Sequence, residues 1–170
     1  PRNVISSLMN HFSLKKVEAL DMLLDGKRGI KSKDGNFATY TFLSSWSNHY
    51  KSWSNIESFR TILIKYEDLK DNKEKVFTDL IKFINNLLNQ NRGIDYQKFN
   101  KALETTNFNF LKKKEAEEGF SEAIFSESND KKIPFFNLGF KNSWQKFLDK
   151  KTIEKIESEF QKEMKELKYL

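Results

Sequence analysis

The chain has 170 residues, 38% of them hydrophobic and 32% charged, which is typical of one globular domain with a packed core. The absence of cysteine excludes disulfides and thiolate metal sites, the presence of only two histidines argues against a zinc enzyme, and no apolar run is long enough to span a membrane. The net charge of +6 is compatible with nucleic acid, an anionic membrane surface or a polyanionic small ligand, although lysines mixed with glutamates more often belong to solvated helix faces.

The N-terminal part of the chain is predicted to contain two helices and a loop. Residues 1–12 turn helical near Ser6 and Ser7, where hydroxyls and backbone N–H groups suit a phosphate or simply cap the helix. Residues 14–24 repeat apolar side chains at a helical period. Residues 25–37 contain three glycines and four basic residues, which predicts a mobile surface loop.

A stripe of aromatic residues predicts a further helix at 39–53. Trp46 and Trp53 lie on the same predicted face, and we expect both in the core. His49 lies between them, so it is either a hydrogen-bonded core histidine or a site residue. The residues alone leave both interpretations open.

One buried strand is predicted, at about 61–66. The apolar run 62–64 is short and rich in β-branched residues, which suits a strand of a parallel sheet covered by helices on both faces. Tyr66 then stands at the carboxyl end of the strand, where ligands bind in open α/β sheets. The strand and the helix predicted at 71–88 together resemble half of a βαβ unit.

The remaining segments are predicted to be mainly helical. The helix at 71–88 starts with a capping-box-like pair, Asp71 and Glu74, and further helices are predicted at 95–103 and from Asp149 to the C-terminus. The lysines and glutamates of 112–118 are predicted to form a solvated, charged end of a helix. Residues 133–144 have no clear period and are predicted to form a structured loop. Neither an internal repeat nor a linker is found.

Five segments in chain order are PRNVISS, SSWSNHYKSW, ILIKYEDL, TTNFNFLKKKE and FFNLGFKNSW. Taken together, they resemble the C-terminal half of the cytosolic-type sulfotransferase domain. Members of that family transfer a sulfuryl group from 3′-phosphoadenosine 5′-phosphosulfate (PAPS) to an acceptor hydroxyl or amine. The fold implied is α/β, a P-loop-like parallel sheet flanked by helices, with residues 1–170 as the mostly helical C-terminal part of a single domain and 61–66 as one central strand.

The resemblance implies contacts with the nucleotide. Ser7 is expected to hydrogen-bond the 3′-phosphate, and Tyr66 is expected to touch the adenine. Thr106 and Phe108 are expected to frame the adenine, with the Phe108 ring packed against the base. PAPS is therefore the expected co-substrate, and no metal is expected.

The resemblance also implies that Asn137, Leu138 and Gly139 approach the 3′-phosphate, with Gly139 permitting close backbone contact. The family has Arg-Lys-Gly at these positions, so two cations are missing here. Charge-assisted hydrogen bonds are the strong ones, and the loss is expected to weaken the grip on phosphate unless another cation replaces them. Lys141 is the nearest candidate in the sequence.

The resemblance places His49 near the acceptor pocket, for a small-molecule or carbohydrate acceptor. It assigns no catalytic residue to this chain, because the family's phosphate loop and catalytic base belong to its N-terminal half. The chain begins without methionine, and that half is not in it. We expect the complete protein to be a PAPS-dependent sulfotransferase and the 170 residues alone to be inactive.

Two other interpretations are weighed beside this one. The first is a basic helical binding module for nucleic acid or an acidic protein, which rests on charge and helix content alone. The second is another P-loop transferase, such as a small-molecule kinase. Under the sulfotransferase interpretation the protein is expected to be cytoplasmic, with no nucleic acid partner and no membrane span in this chain. The acceptor's identity and the oligomeric state stay open.

Overall fold

The computed structural model describes residues 1–30, 40–121, 124–125 and 132–170. Most of these residues are helical, so the expectation of a mainly helical chain is confirmed. The loop predicted at 25–37 lies in large part outside the described residues. The described helices are α1 (Val4–Phe12), α2 (Lys16–Leu24), α3 (Trp46–Ser54), α4 (Tyr66–Asp71), α5 (Lys73–Leu87), α6 (Tyr96–Thr105), α7 (Phe108–Glu118), α8 (Lys150–Glu159) and α9 (Gln161–Glu166).

The strands of the described residues form two antiparallel pairs, each two residues long. Each pair is a separate two-stranded antiparallel sheet, and pairs this short are only marginally stable on their own. The P-loop-like parallel sheet therefore stays a prediction. The pairs are β1 (Gly29–Ile30) with β2 (Thr41–Phe42), in which Gly29 lies opposite Phe42, and β3 (Ile124–Phe125) with β4 (Lys132–Ile133), in which Ile124 lies opposite Ile133.

The prediction of a buried strand at 61–66 is wrong for the described structure. Residues 61–65 belong to neither a helix nor a strand, and Tyr66 begins α4. Leu63 is 63% exposed, so the apolar run is not buried. A strand needs a hydrogen-bonded strand beside it, and the two described pairs do not include this segment.

The helix predicted at 71–88 is present as α5, but its start differs from the prediction. The backbone turns at Asn72, whose φ of −143° separates α4 from α5. Asn72 is the residue before the helix, and its side chain makes no capping hydrogen bond, so the capping box predicted at Asp71 does not form. The helix at 95–103 is confirmed as α6, which Asp95 caps by accepting the backbone N–H of Lys98.

The described chain divides into two compact units. The first unit contains Pro1–Asn55, Ile124–Ile133 and Lys141–Leu170, and the second contains Ile56–Ala123 and Pro134–Phe140. All fully buried apolar side chains of the described residues belong to the first unit.

The core of the first unit is formed by the N-terminal and C-terminal helices together. Ile5 of α1, Ile156 of α8 and Met164 of α9 are fully buried, and Phe160 is buried where α8 gives way to α9. Burying side chains of this size stabilises a fold by about 1.5–3 kcal/mol each. The predicted start of the C-terminal helix is confirmed, because the Asp149 side chain accepts the backbone N–H of Thr152.

The aromatic helix at 39–53 is shorter than predicted. It begins at Trp46 because the Ser45 side chain accepts the backbone N–H of Asn48. Trp46 packs against Phe160, with ring centroids 5.3 Å apart, as expected of a core residue. Trp53 lies in the last turn of α3 and is 62% exposed, so its predicted place in the core is wrong.

The N-terminal segment of the first unit is fixed to the segment that follows Gly139 in sequence. The Arg2 guanidinium lies 4.3 Å from the ring centroid of Trp144 and donates to Glu157 at 2.5 Å. The Asn3 side chain accepts the backbone N–H of Trp144 at 3.0 Å. Asn142 accepts from the Ser6 hydroxyl at 2.7 Å and donates to the Asn3 carbonyl at 3.2 Å.

Two kinds of feature are absent from the part of the chain that the structure describes. None of its helices is both long enough and apolar enough to cross a membrane. Its His, Asp and Glu side chains form no group of three or more that could hold a metal ion.

Candidate functional site

One face of α7 contacts the segment 135–139 at several points. Phe108, Lys112 and Glu115 lie four and three residues apart, so they share one face of the helix. Each contacts a different part of the segment, which runs from the Glu115 end of the helix toward the Phe108 end. The loop expected to approach phosphate is therefore positioned by α7.

Glu115 fixes the start of the segment. Its two carboxylate oxygens accept the backbone N–H groups of Phe135 at 2.7 Å and Phe136 at 2.9 Å. Glu115 is only 8% exposed, so the prediction that it lies in a solvated, charged helix end is wrong. A buried carboxylate is costly unless it is hydrogen-bonded, and the two N–H donors supply that requirement.

Lys112 contacts the middle of the segment. Its ammonium donates to the carbonyl oxygen of Asn137 at 2.9 Å and lies 5.8 Å from the centroid of the Phe108 ring. Its neighbours Lys113 and Lys114 instead pair with Glu117 and Glu118, each four residues further along α7.

Gly139 ends the segment against the ring of Phe108. Its φ is +52°, a backbone conformation that residues other than glycine rarely adopt. A Cβ atom on Gly139 would lie 2.5 Å from Cζ of Phe108. The residue that approaches Gly139 most closely is thus the predicted adenine contact itself.

Tyr66, Phe140 and Phe108 form a row of aromatic rings. The centroid of Phe140 lies 6.3 Å from that of Tyr66 and 6.4 Å from that of Phe108. Phe136 packs edge-on against Phe108, with ring centroids 6.2 Å apart. Tyr66 and Phe140 are 48% and 51% exposed, so the row presents open ring surface. The structure brings two predicted adenine contacts to either side of one exposed ring.

Partial burial, with a smaller contribution from Glu67, raises the pKa of Tyr66 above its usual value. The phenol therefore keeps its proton at neutral pH and remains a hydrogen-bond donor.

Thr106 lies at the end of α6, two residues before Phe108. Its hydroxyl donates to the Ala102 carbonyl at 2.6 Å, and the ammonium of Lys73 donates to the same hydroxyl at 3.0 Å. Lys73 also donates to the carbonyl of Leu103 at 2.9 Å, where a cation is favourable because the helix dipole is negative at its C-terminus.

The remaining predicted site residues divide between the two units. Leu138 belongs to the second unit and is exposed. Ser7 and His49 belong to the first unit, and both are exposed, Ser7 in α1 and His49 in α3. The exposure of His49 excludes its interpretation as a core histidine.

The description "Sulfotransferase domain" belongs to the family model that matches residues 1–168. The chain belongs to the sulfotransferase family. A relative in the mouse, Mus musculus, named "Sulfotransferase 1 family member D1", is 24% identical over 122 residues, which cover 71% of this chain and 39% of the mouse protein. The chain thus spans about two fifths of the length of this curated relative. No solved structure matches the chain.

Sequence reasoning missed three residues of this candidate site, namely Lys112, Glu115 and Phe140. Two of them were signalled by spacing, because Lys112 and Glu115 share the helical face of Phe108. Phe140 was not signalled, since it lies in a segment with no regular period. The described chain is mainly helical with short strands, which is consistent with the sulfotransferase assignment.

Proposed function

We propose that this chain binds the adenine and the 3′-phosphate of PAPS within a sulfotransferase that transfers the sulfuryl group to an acceptor hydroxyl or amine. The observation that carries the proposal is the single face of α7, which presents Phe108 beside an exposed ring and fixes the loop of Asn137 and Gly139 next to it. Family membership supports the reaction class.

The aromatic row suits an adenine base. Exposed rings of Tyr66 and Phe140 offer flat apolar surface, and aromatic side chains stack on bases with about 1–3 kcal/mol per base. The Tyr66 phenol adds a donor that can reach a ring nitrogen. These features support Tyr66 and Phe108 as adenine contacts, with Phe140 added to them and Thr106 at the edge.

The loop after Phe136 suits a phosphate. α7 fixes the backbone at the start of this loop through Glu115, and Lys112 brings a positive charge to Asn137. For Ser7 the support is the resemblance and an exposed hydroxyl, and for Leu138 it is its place in the same loop.

The reaction implied is an in-line displacement at sulfur. The acceptor oxygen or nitrogen forms a bond to sulfur and gives its proton to a base, while the bond from sulfur to the 5′-phosphate oxygen breaks. The electron pair of that bond leaves with adenosine 3′,5′-bisphosphate. The role proposed for the present residues is to hold the nucleotide; no catalytic base is assigned among them, so the 170 residues alone are proposed to be inactive.

The acceptor is proposed to be a small molecule or a carbohydrate. His49 is exposed on α3 and is proposed to lie near it, which rests on the resemblance. A cytoplasmic location stays a prediction of the sequence.

A binding measurement tests the proposal. We expect the natural full-length protein to bind adenosine 3′,5′-bisphosphate in calorimetry, and Phe108→Ala to weaken binding by about 10-fold through loss of stacking. The matched control is Phe110→Ala, an exposed phenylalanine of the same helix, which should leave affinity unchanged. Ser7→Ala should also weaken binding, and Ser58→Ala, another exposed serine, should not.

The proposal is wrong if the bisphosphate does not bind, or if Phe108→Ala and Phe110→Ala have the same affinity as the unchanged protein. Salt-dependent binding of DNA or RNA with no response to the bisphosphate would instead support the basic binding module.

A further inference from the structure

The geometry points to Lys112 of α7 as the cation that recognises the 3′-phosphate beside the loop of Asn137, Leu138 and Gly139. The inference rests on the proposed function and deepens it. The loop residues Asn137, Leu138 and Gly139 carry no positive charge, yet a phosphate is best held by charge-assisted hydrogen bonds.

The Lys112 ammonium lies close to both the loop and the Phe108 ring. It lies 2.9 Å from the Asn137 carbonyl oxygen and 5.8 Å from the Phe108 ring centroid. The charge therefore lies where the proposed adenine contact and the proposed phosphate loop meet. An ammonium has three donors, and the Asn137 carbonyl uses one, so two remain for an anion.

The three consecutive lysines of α7 differ in their ion pairs. Lys113 and Lys114 have glutamates four residues further along, at Glu117 and Glu118, and pair with them. Lys112 has Ala116 at that position, and it forms no ion pair with any residue that the structure describes. Of these three consecutive lysines, Lys112 is the one that donates to the loop and has no carboxylate partner among the described residues.

The contact with Asn137 also pre-organises the ammonium. A lysine side chain is flexible, and ordering it on binding costs free energy. Here the carbonyl and the aromatic ring already restrict it, so less ordering remains when an anion arrives. We therefore expect Lys112 to discriminate between adenine nucleotides with and without a 3′-phosphate.

Calorimetry with two nucleotides tests the inference. In the natural full-length protein, Lys112→Ala is expected to weaken the binding of adenosine 3′,5′-bisphosphate by on the order of 10-fold, because a hydrogen bond to a charged group is lost. The affinity for adenosine 5′-monophosphate should stay unchanged. Lys112→Arg keeps the charge and should retain most of the preference. Lys112→Gln keeps donors without the charge and should lose it, even if alanine loosens the loop.

Lys113→Ala and Lys114→Ala are matched controls, because each removes one lysine from the same helix. Each should leave the affinities for both nucleotides within about twofold, because exposed ion pairs contribute little. Equal effects of the Lys112 and Lys113 substitutions would overturn the inference while leaving the proposed function intact. If Lys112→Gln weakened the binding of both nucleotides equally, that result would overturn the inference as well. No binding of the bisphosphate by the unchanged protein would reject the proposed function itself.

Discussion

At the scale of single residues, Gly139 shows how one position couples backbone conformation to the site. Its left-handed φ and the Phe108 ring above it leave no room for a side chain. The resemblance explained this glycine by close approach of a phosphate, whereas the structure shows close approach of an aromatic ring. The ring fills the space beside the Cβ position, so the structure explains this glycine by the ring and not by the phosphate.

Gly139→Ala is therefore expected to destabilise the protein. The left-handed conformation costs an alanine about 1–2 kcal/mol in the free energy of unfolding, and displacement of the Phe108 ring adds to this. Denaturant unfolding measures the change. Gly93→Ala is the matched control, since Gly93 has no left-handed φ and nothing lies within 4 Å of its Cβ position. Equal stability of the two variants would contradict the steric argument.

A double substitution separates the two causes. Phe108→Ala removes the ring but not the left-handed backbone, so Gly139→Ala should cost less in its presence, with a coupling of about 0.5–3 kcal/mol. Strict additivity would mean that the ring contact contributes nothing.

At the scale of elements, α3 and α9 are joined in the first unit by a buried carboxylate. Glu163 is buried and accepts hydrogen bonds from the Lys51 ammonium and the Ser47 hydroxyl, both at 2.6 Å. These partners lower the pKa of Glu163 from its ordinary value of 4.5 to about 2, with Lys51 the larger cause. Because the pKa of the folded state is depressed, the contribution to stability is full above pH 4.5 and disappears as the pH falls toward 2.

Glu163→Gln should remove this pH dependence. At pH 7 we expect the variant to be less stable by about 2 kcal/mol, the size of a hydrogen bond to a charged group, and we expect the difference to shrink in unfolding experiments between pH 4.5 and pH 2. Glu159→Gln, an exposed glutamate of α8, should follow the unchanged protein at every pH. A difference that stays constant across this range would refute the coupling.

Elements also show what the sequence can and cannot predict. Helix signals that are local, such as those of α6 and of the start of α8, were predicted well. The single C-terminal helix that was predicted is divided at Phe160 into α8 and α9. The strand at 61–66 failed because strand formation depends on a neighbour, which no local pattern reports. Glu115 was misread because its partners, two backbone N–H groups twenty residues or more away along the chain, carry no side-chain signature.

At the scale of the whole molecule, five sequence segments in the expected order indicated the family. The family model that matches residues 1–168 confirms it. The segments are short and separated, yet they bear on one reaction, so their order carried more information than any single motif. The candidate site was predicted only in part. Tyr66, Phe108 and Gly139 were predicted and are brought together, while the α7 face that arranges them appears only in three dimensions.

The central claim is that this chain holds an adenine against the aromatic row. Photolabelling with an azidoadenine analogue of adenosine 3′,5′-bisphosphate, followed by peptide mapping, tests it most directly. We predict label in peptides that contain Tyr66, Phe108 or Phe140, and loss of that label when excess unlabelled bisphosphate competes. Label confined to other peptides, or label that the unlabelled nucleotide does not displace, would contradict the claim.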